Sequence, residues 1–325
     1  MNAMNEVAGD FLSLDRLTVE YPLGGGRKVH AVSGLSIAVR RGETLGLVGE
    51  SGCGKSSAAR AVMQLPSPTS GSVRLDGVEL TALKGKALQK ARQKFQMIFQ
   101  DPIASLNPRQ TVRDIVAAPL EIAGIGTQAE RDRTVAEMLE KVGLNAEQAM
   151  ERRAHEFSGG QCQRISIARA LVLRPELLVC DEAVSALDVS VQAQTLNLLE
   201  ELKREFGLTM LFISHDLAVV KHVSDRVAVM YLGMLCETAD AETIYAKPAH
   251  PYTKTLINAV PDPDPEAPKH VLDLVPGELP SPTNPPSGCR FRTRCPHATS
   301  LCAREVPIER EIAAGHTVAC HHPLI

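Results

Sequence analysis

Residues Gly49-Glu50-Ser51-Gly52-Cys53-Gly54-Lys55-Ser56 match the pattern G-x-x-x-x-G-K-[ST] at every fixed position, and no other stretch of the chain constrains the fold as strongly. A loop of this kind requires a strand before it and a helix after it. Thr44-Leu45-Gly46-Leu47-Val48 is apolar on both faces, as a buried parallel strand is, and residues 55–65 read as a helix. The glycines let the backbone curl until its N–H groups converge on an anion, where the helix N-terminus adds about half a positive charge. Lys55 is expected to neutralise β and γ phosphates, and the hydroxyl of Ser56, followed by Ser57, to ligate Mg²⁺. A glycine-rich turn that binds nothing could carry the same letters, but it would not need the strand and helix that flank these.

Composition narrows the class. The chain has 325 residues, 44% of them hydrophobic, which suffices for one substantial core with an appendage. A net charge of −3 and the lack of a long basic block argue against nucleic acid as the main partner. Residues 1–16 carry Glu6, Asp10 and Asp15 without a basic-then-apolar signal pattern. No apolar run approaches the ~20 residues that span a bilayer. A cytosolic chain is expected, with any membrane role exerted through a partner.

In chain order, residues 12–14 and 17–21 alternate as half-buried strands, Gly24-Gly25-Gly26 forms a turn, and residues 29–39 return as a strand. A short hairpin strand is expected at Val73-Arg74-Leu75, so antiparallel strands surround the phosphate-loop strand and a mixed sheet follows. Residues 84–94 read as a charged helix leading into the strand Phe95-Gln96-Met97-Ile98-Phe99, at whose carboxyl end Gln100 stands where open α/β sheets bind ligands. Residues 105–174 look like an inserted helical lobe, broken at Pro108, Pro119, Gly124, Gly126 and Gly143. It ends in Ser158-Gly159-Gly160-Gln161 before a helix expected at 163–173. On its own that tetrapeptide is equally a plain N-cap. Leu177-Leu178-Val179-Cys180-Asp181-Glu182 is a buried strand ending in two carboxylates, the arrangement that holds Mg²⁺ through Asp181 and lets Glu182 act on the attacking water. A helix is expected at 191–206 with Gly207 as its stop, then the strand Thr209-Met210-Leu211-Phe212-Ile213, which ends near His215.

Taken together, Tyr21, the loop 49–56, Gln100, Phe157 to Gln161, Asp181-Glu182, Ser185 to Asp188 and His215 resemble, in this order, the full motif set of an ABC transporter ATPase domain. The resemblance covers about residues 11–260. It implies an α/β P-loop NTPase fold of ABC type with a mixed sheet core, an antiparallel β subdomain and an inserted helical subdomain at about 105–174. Two such domains are then expected to close head to tail, with ATP held between one subunit's phosphate loop and the other's Ser158, Gly159, Gly160 and Gln161. By position Tyr21 stacks on adenine, Gln100 meets Mg²⁺ and the membrane subunit, Glu182 is the general base, His215 steadies the γ-phosphate, and Asp188 belongs to the nucleotide-binding set. Phe157 replaces the family's commoner Leu, and Ala183-Val184 stand where Pro-Thr is usual, but neither change removes a group that contacts nucleotide.

Residues 261–325 differ in kind. Nine prolines fall between Pro261 and Pro286, which fits an extended connector. Cys289, Cys295, Cys302 and Cys320 follow with the spacing C-x5-C-x6-C-x17-C. In a cytosolic chain such a cluster points to metal or redox chemistry rather than disulfides. The spacing is longer than in zinc knuckles, and four thiolates also suit a 4Fe-4S cluster, so both stay open alongside four free buried cysteines. Arg290, Arg292 and Arg294 are expected to offset the charge of a tetrathiolate site. The tail supplies none of the nucleotide motifs and is read as a small, separate Cys-rich domain, so that substituting Cys295 and Cys302 is expected to leave ATP binding at Lys55 intact.

His250-Pro251-Tyr252-Thr253, residues 277–282, residues 284–289 and Arg294-Cys295-Pro296 look like the C-terminal region of ATPases that power oligopeptide, dipeptide and nickel importers. Some members hold a 4Fe-4S cluster on these cysteines, which makes iron-sulfur the preferred occupant over Zn²⁺. The resemblance implies a second ATPase subunit, two transmembrane permease subunits, an extracytoplasmic solute-binding protein, and a place on the cytoplasmic face of the inner membrane. The competing expectation is a soluble ABC ATPase acting on ribosomes or DNA. Such proteins usually carry two ATPase domains or a long coiled-coil insertion, and neither is present.

Overall fold

The computed structural model describes residues 9–260 and 278–325. In chain order the strands are β1 (Asp10–Pro22), β2 (Lys28–Arg40), β3 (Thr44–Val48), β4 (Ser70–Leu75), β5 (Val78–Glu79), β6 (Phe95–Ile98), β7 (Leu177–Asp181), β8 (Thr209–Ile213), β9 (Arg226–Tyr231), β10 (Met234–Asp240), β11 (Arg310–Ala313) and β12 (His316–Val318). Contacts divide the chain into two compact units, residues 1–39, 43–81 and 213–325 in the first and 40–42 and 82–212 in the second.

In the first unit, β2, β1, β4 and β5 form an antiparallel sheet in that order. The two strands expected at 12–14 and 17–21 are one continuous strand. Its register against β4 shifts between Asp15 and Thr18, so Arg16, at φ 45°, is absorbed as an irregularity without ending the strand. Leu12, Leu14, Leu17 and Val19 are all buried. These strands do not surround β3 in one sheet as the sequence suggests. The mixed character instead comes from the order β11-β12-β10-β9-β3, in which β3 is parallel to β9 and β10 is antiparallel to both β9 and β12. Every residue of β3 is buried. A Cβ on Gly46 would stand 2.5 Å from both Ser224 Oγ and Val220 Cγ1, so only glycine lets the helix Leu217–Val223 lie this close to the strand.

Residues 278–325 fall in the first unit. The part of the Pro-rich connector from 261 to 277 lies outside the described residues. The tail makes no core of its own size but uses the edge of an existing sheet. β12 pairs with β10, Glu237 opposite Val318. The carboxylate of Glu237, 1% exposed, accepts from the backbone N–H groups of Ala249 at 2.7 Å and His250 at 2.8 Å and lies 2.7 Å from His316 Nε2. A buried carboxylate is tolerated only with such partners. Phe291 is buried edge-on against Tyr231 at 5.2 Å and tilted against Tyr252 at 5.3 Å. Burying such a ring contributes about 1.5–3 kcal/mol.

The second unit contains β8, β7 and β6 in that order, β6 parallel to β7 with Phe95 opposite Leu177 and Ile98 opposite Cys180. The helices Val112–Ala123, Gln128–Lys141 and Gly159–Leu171 begin at capping boxes on Thr111, Thr127 and Ser158. Pro119 does not break the chain as expected but sits inside the first of them. The buried face of Ile115, Val116 and Leu120 holds that helix together until Gly124 ends it at φ 69°. The charged helix expected over 84–94 is shorter, Gly85–Ala91 with one following 3₁₀ turn. Among the described residues no helix is long and apolar enough to cross a membrane.

Candidate functional site

The sequence-expected site residues fall into two groups, Tyr21, residues 49–57 and His215 in the first unit, Gln100, residues 158–161, Asp181, Glu182 and Asp188 in the second. In the first, the buried strand β3 delivers Gly49, and the loop turns on Gly54 at φ 107° into the helix Lys55–Val62. A Cβ on Gly54 would lie 2.1 Å from the carbonyl oxygen of Ala31. Its N-cap residue, Gly54, has no side chain to cap the helix, and a helix N-terminus of this kind suits an anion. Lys55, 4% exposed, donates from Nζ to the carbonyls of Gly49 at 2.7 Å and Glu50 at 3.1 Å. Cys53 is 1% exposed, and burial raises the pKa of its thiol against the opposing pull of Lys55.

Tyr21 stands half-buried at the end of β1. His215 is exposed just beyond β8, between Ser214, whose hydroxyl accepts from Asp216 N at 3.0 Å, and Asp216, which caps the helix Leu217–Val223.

In the second unit β7 ends at Asp181, 2% exposed. The next residue, Glu182, has φ 49°, a left-handed conformation that costs a non-glycine residue on the order of 1 kcal/mol or more. The turn redirects its carboxylate, and Gln100 Nε2 donates to Glu182 Oε2 at 2.7 Å. Asp188 caps the helix Val189–Phe206 by accepting from Val191 N, and with Ser190 Oγ at 2.6 Å this holds its carboxyl below the usual range. Ser158 and Gln161 form a reciprocal capping box, 3.3 Å and 3.0 Å. The helix thus starts at Gly159, four residues before the expected Gln163. Gly160 is pressed near Val191, where a Cβ would fall 2.6 Å from Val191 Cγ1.

Cys289, Cys295, Cys302 and Cys320 line one small recess together with Arg292 and several histidines. All four thiols are free, and burial pushes Cys320 up to about 11 and raises Cys289 and Cys295. Among the described residues no group of three or more His, Cys, Asp or Glu side chains is placed to hold a metal ion. The donor types are those of a Cys₄ site; their placement is not that of a formed one. The arginines depart from expectation. Arg292 alone lines the recess, while Arg290 reaches Leu232 O and Ser33 Oγ and Arg294 reaches the carboxylate of Glu50. Tyr252, whose hydroxyl accepts from Glu50 N at 2.8 Å, also touches the phosphate loop. The contacts of Tyr252 and Arg294 with Glu50 span 202 and 244 residues of chain and leave no local signal in the sequence.

Comparison with known proteins places this geometry in a family. The ABC transporter family matches residues 32–185, and the oligopeptide/dipeptide transporter C-terminal region matches residues 236–302. The putative oligopeptide transport ATP-binding protein YkfD of Bacillus subtilis is 54% identical over 95% of this chain and 94% of its own length. The oligopeptide transport ATP-binding protein OppF of Escherichia coli is 50% identical over 98% of both chains. Among solved structures, the ATP-binding cassette MJ0796, a dimer in a post-hydrolysis state bound to ADP and Pi, has a TM-score of 0.65 and 28% identity, covering 71% of this chain and 98% of that one. The cbiO1 structure from Clostridium perfringens, part of the cbiONQ transporter complex, has a TM-score of 0.64 and 27% identity, covering 73% and 91%. With its phosphate loop, its paired carboxylates after β7 and its matching tail, the chain belongs to the ABC transporter ATPase family, in the branch that carries the oligopeptide/dipeptide transporter C-terminal region.

Proposed function

We propose that this chain hydrolyses ATP to energise a bacterial importer of oligopeptides or dipeptides, from the cytoplasmic face of the membrane. The names of its relatives support the substrate class. The observation that carries the reading is the phosphate loop, with a helix N-terminus opened by Gly54, which has no side chain to cap it, and a buried Lys55 drawn over it. Tyr21 stacks on adenine, and residues 49–57 receive the triphosphate. Ser56, Asp181 and Gln100 would hold Mg²⁺, which neutralises charge on the β and γ phosphates when bound. Glu182 takes the proton of the attacking water as its oxygen bonds to the γ-phosphorus and the bond to the ADP oxygen breaks. Gln100, hydrogen-bonded to Glu182, orients that base, and His215 steadies the γ-phosphate.

Ser158, Gly159, Gly160 and Gln161 act on ATP held by a second ATPase subunit, an arrangement supported by the dimeric MJ0796 cassette, and Asp188 belongs to the nucleotide-binding set. Two permease subunits and an extracytoplasmic solute-binding protein complete the importer. Cys289, Cys295, Cys302 and Cys320 would hold a 4Fe-4S cluster in preference to Zn²⁺, cross-linking the tail; their common recess supports this assignment. Purification of the tagged chain from host membranes tests the whole reading. Two multispanning proteins and a second ATPase should co-purify, and peptide-loaded binding protein should raise ATP turnover of the reconstituted assembly. Recovery with ribosomes or DNA instead would overturn it.

A further inference from the structure

We propose that Arg294, in the Cys-rich tail, is a positioning residue for the phosphate loop, acting through Glu50; this rests on ATP binding at that loop. Glu50 is held at four atoms. Its carboxylate accepts from Arg294 Nη1 at 3.0 Å and 2.8 Å, its backbone N–H donates to Tyr252 Oη at 2.8 Å, and its carbonyl accepts from Lys55 Nζ at 3.1 Å. The Arg294 side chain is only 11% exposed, and Glu50 28%. A pair this sheltered from water is not the weak surface kind, whose worth is close to zero. Burial works against the charge on Arg294, but its hydrogen bonds to Glu50 and Tyr231 outweigh that and raise its pKa. The guanidinium meets Glu50 through Nη1, while its buried Nε has no hydrogen-bond partner among the described residues.

Four residues earlier, Arg290 works on the same loop from behind. It donates to Leu232 O and, at 2.8 Å, to Ser33 Oγ, bracing the turn between β9 and β10. Gly233 in that turn donates to the carbonyl of Cys53 at 2.7 Å. Between the two arginines Phe291 is buried against Tyr231 and Tyr252. The tail segment 290–294 thus fixes loop residue 50 directly and residue 53 through Gly233. It also neutralises a carboxylate one residue from Gly49, on the loop that must receive the triphosphate. Preorganisation of this kind appears as ligand affinity, because the loop is not ordered at the expense of binding.

The test is a double-mutant cycle on the full chain, with trinitrophenyl-ATP as probe and thermal unfolding of each nucleotide-free variant as the folding control. Arg294→Ala should raise Kd for the probe by at least ~5-fold, and Glu50→Gln/Arg294→Ala should not be worse than Arg294→Ala alone, because the arginine acts through the carboxylate. Arg294→Lys should recover most of the affinity, since a single nitrogen makes the contact. In the assembled transporter KM for ATP should rise with Kd while kcat changes less than threefold. A Kd within twofold of wild type for Arg294→Ala, or additive effects in the cycle, would overturn the proposal. If Arg294→Ala does not fold, Arg294→Met, which keeps the stem and removes the donor, and Tyr252→Phe carry the test, and wild-type affinity in both overturns it. Lys55→Ala separates the two layers: if it too binds like wild type, ATP binding at this loop fails, and the proposal with it.

Discussion

Gln100 Nε2 donates to Glu182 Oε2 at 2.7 Å, joining a residue just past the end of β6 to the one that follows β7, two parallel neighbours whose carboxyl ends lie together. The left-handed turn at Glu182 aims the carboxylate there. Glu182→Gln should therefore keep ATP binding and lose hydrolysis, because the amide is nearly isosteric and accepts no proton. A general base supplies ~10² to 10⁴ in rate. Turnover within threefold of wild type in the assembled transporter would remove Glu182 from that role. Gln100→Ala should lower kcat with a smaller effect on ATP affinity, which single-turnover measurements separate.

Gly54→Ala should be among the most damaging small substitutions in the chain. The new Cβ would meet Ala31 O at 2.1 Å on a backbone at φ 107°. Loss of about 1–3 kcal/mol of stability and of ATP binding is expected. Gly26→Ala, also at positive φ but with nothing within 4 Å, should cost much less. Thermal unfolding of the two variants side by side checks this.

Ser158 has two separable roles. Its hydroxyl caps the helix Gly159–Leu171, so Ser158→Ala should cost about 1 kcal/mol in unfolding free energy. Ser158→Arg should in addition block the closed ATPase dimer, read by light scattering with Glu182→Gln and ATP, while ATP binding to the isolated chain stays near wild type. Equal loss of binding in the isolated chain would mean that the loop acts in cis.

The parts of this fold written in short-range pattern were legible in the sequence. β3 and β7 are continuous apolar runs because both their faces are buried, and the loop after β3 carries its own spacing. Local chemistry misled where two readings share the same letters. The helix is expected to start at Gln163, yet Gly159 and Gly160 already open it because Ser158 and Gln161 cap each other. Pro119 read as a break, yet buried neighbours carry the helix past it. The positive φ of Glu182 has no sequence signature. Contacts of the tail were least legible, since Arg294 and Glu50 are 244 positions apart. Three arginines among cysteines suggested charge balance for a metal site; the partners of two of them lie on or behind the phosphate loop.

That placement changes what the cysteine tail should do when disturbed. Four thiolates around iron should give anaerobically purified protein a brown colour, broad absorption near ~400 nm and about four irons per chain, whereas zinc would be colourless at about one per chain. Metal-free protein, prepared anaerobically without chelator from a host with intact cluster assembly, would end the metal assignment. Cys295→Ser/Cys302→Ser should release the metal and speed proteolysis after residue 286. A tail acting as a separate unit would leave ATP binding at Lys55 untouched. Instead, Cys289 and Cys295 bracket the segment that holds Glu50, and Cys289 N donates to Cys302 O at 2.8 Å. Loosening the recess should therefore free Arg294 and weaken ATP binding in the same direction as Arg294→Ala. The Arg294→Ala/Cys295→Ser/Cys302→Ser variant should then bind ATP no more weakly than the cysteine double variant, because both changes act through one contact. Unchanged affinity in the cysteine variant, with metal gone and proteolysis accelerated, would separate the recess from the loop and leave the arginine contact as a local device.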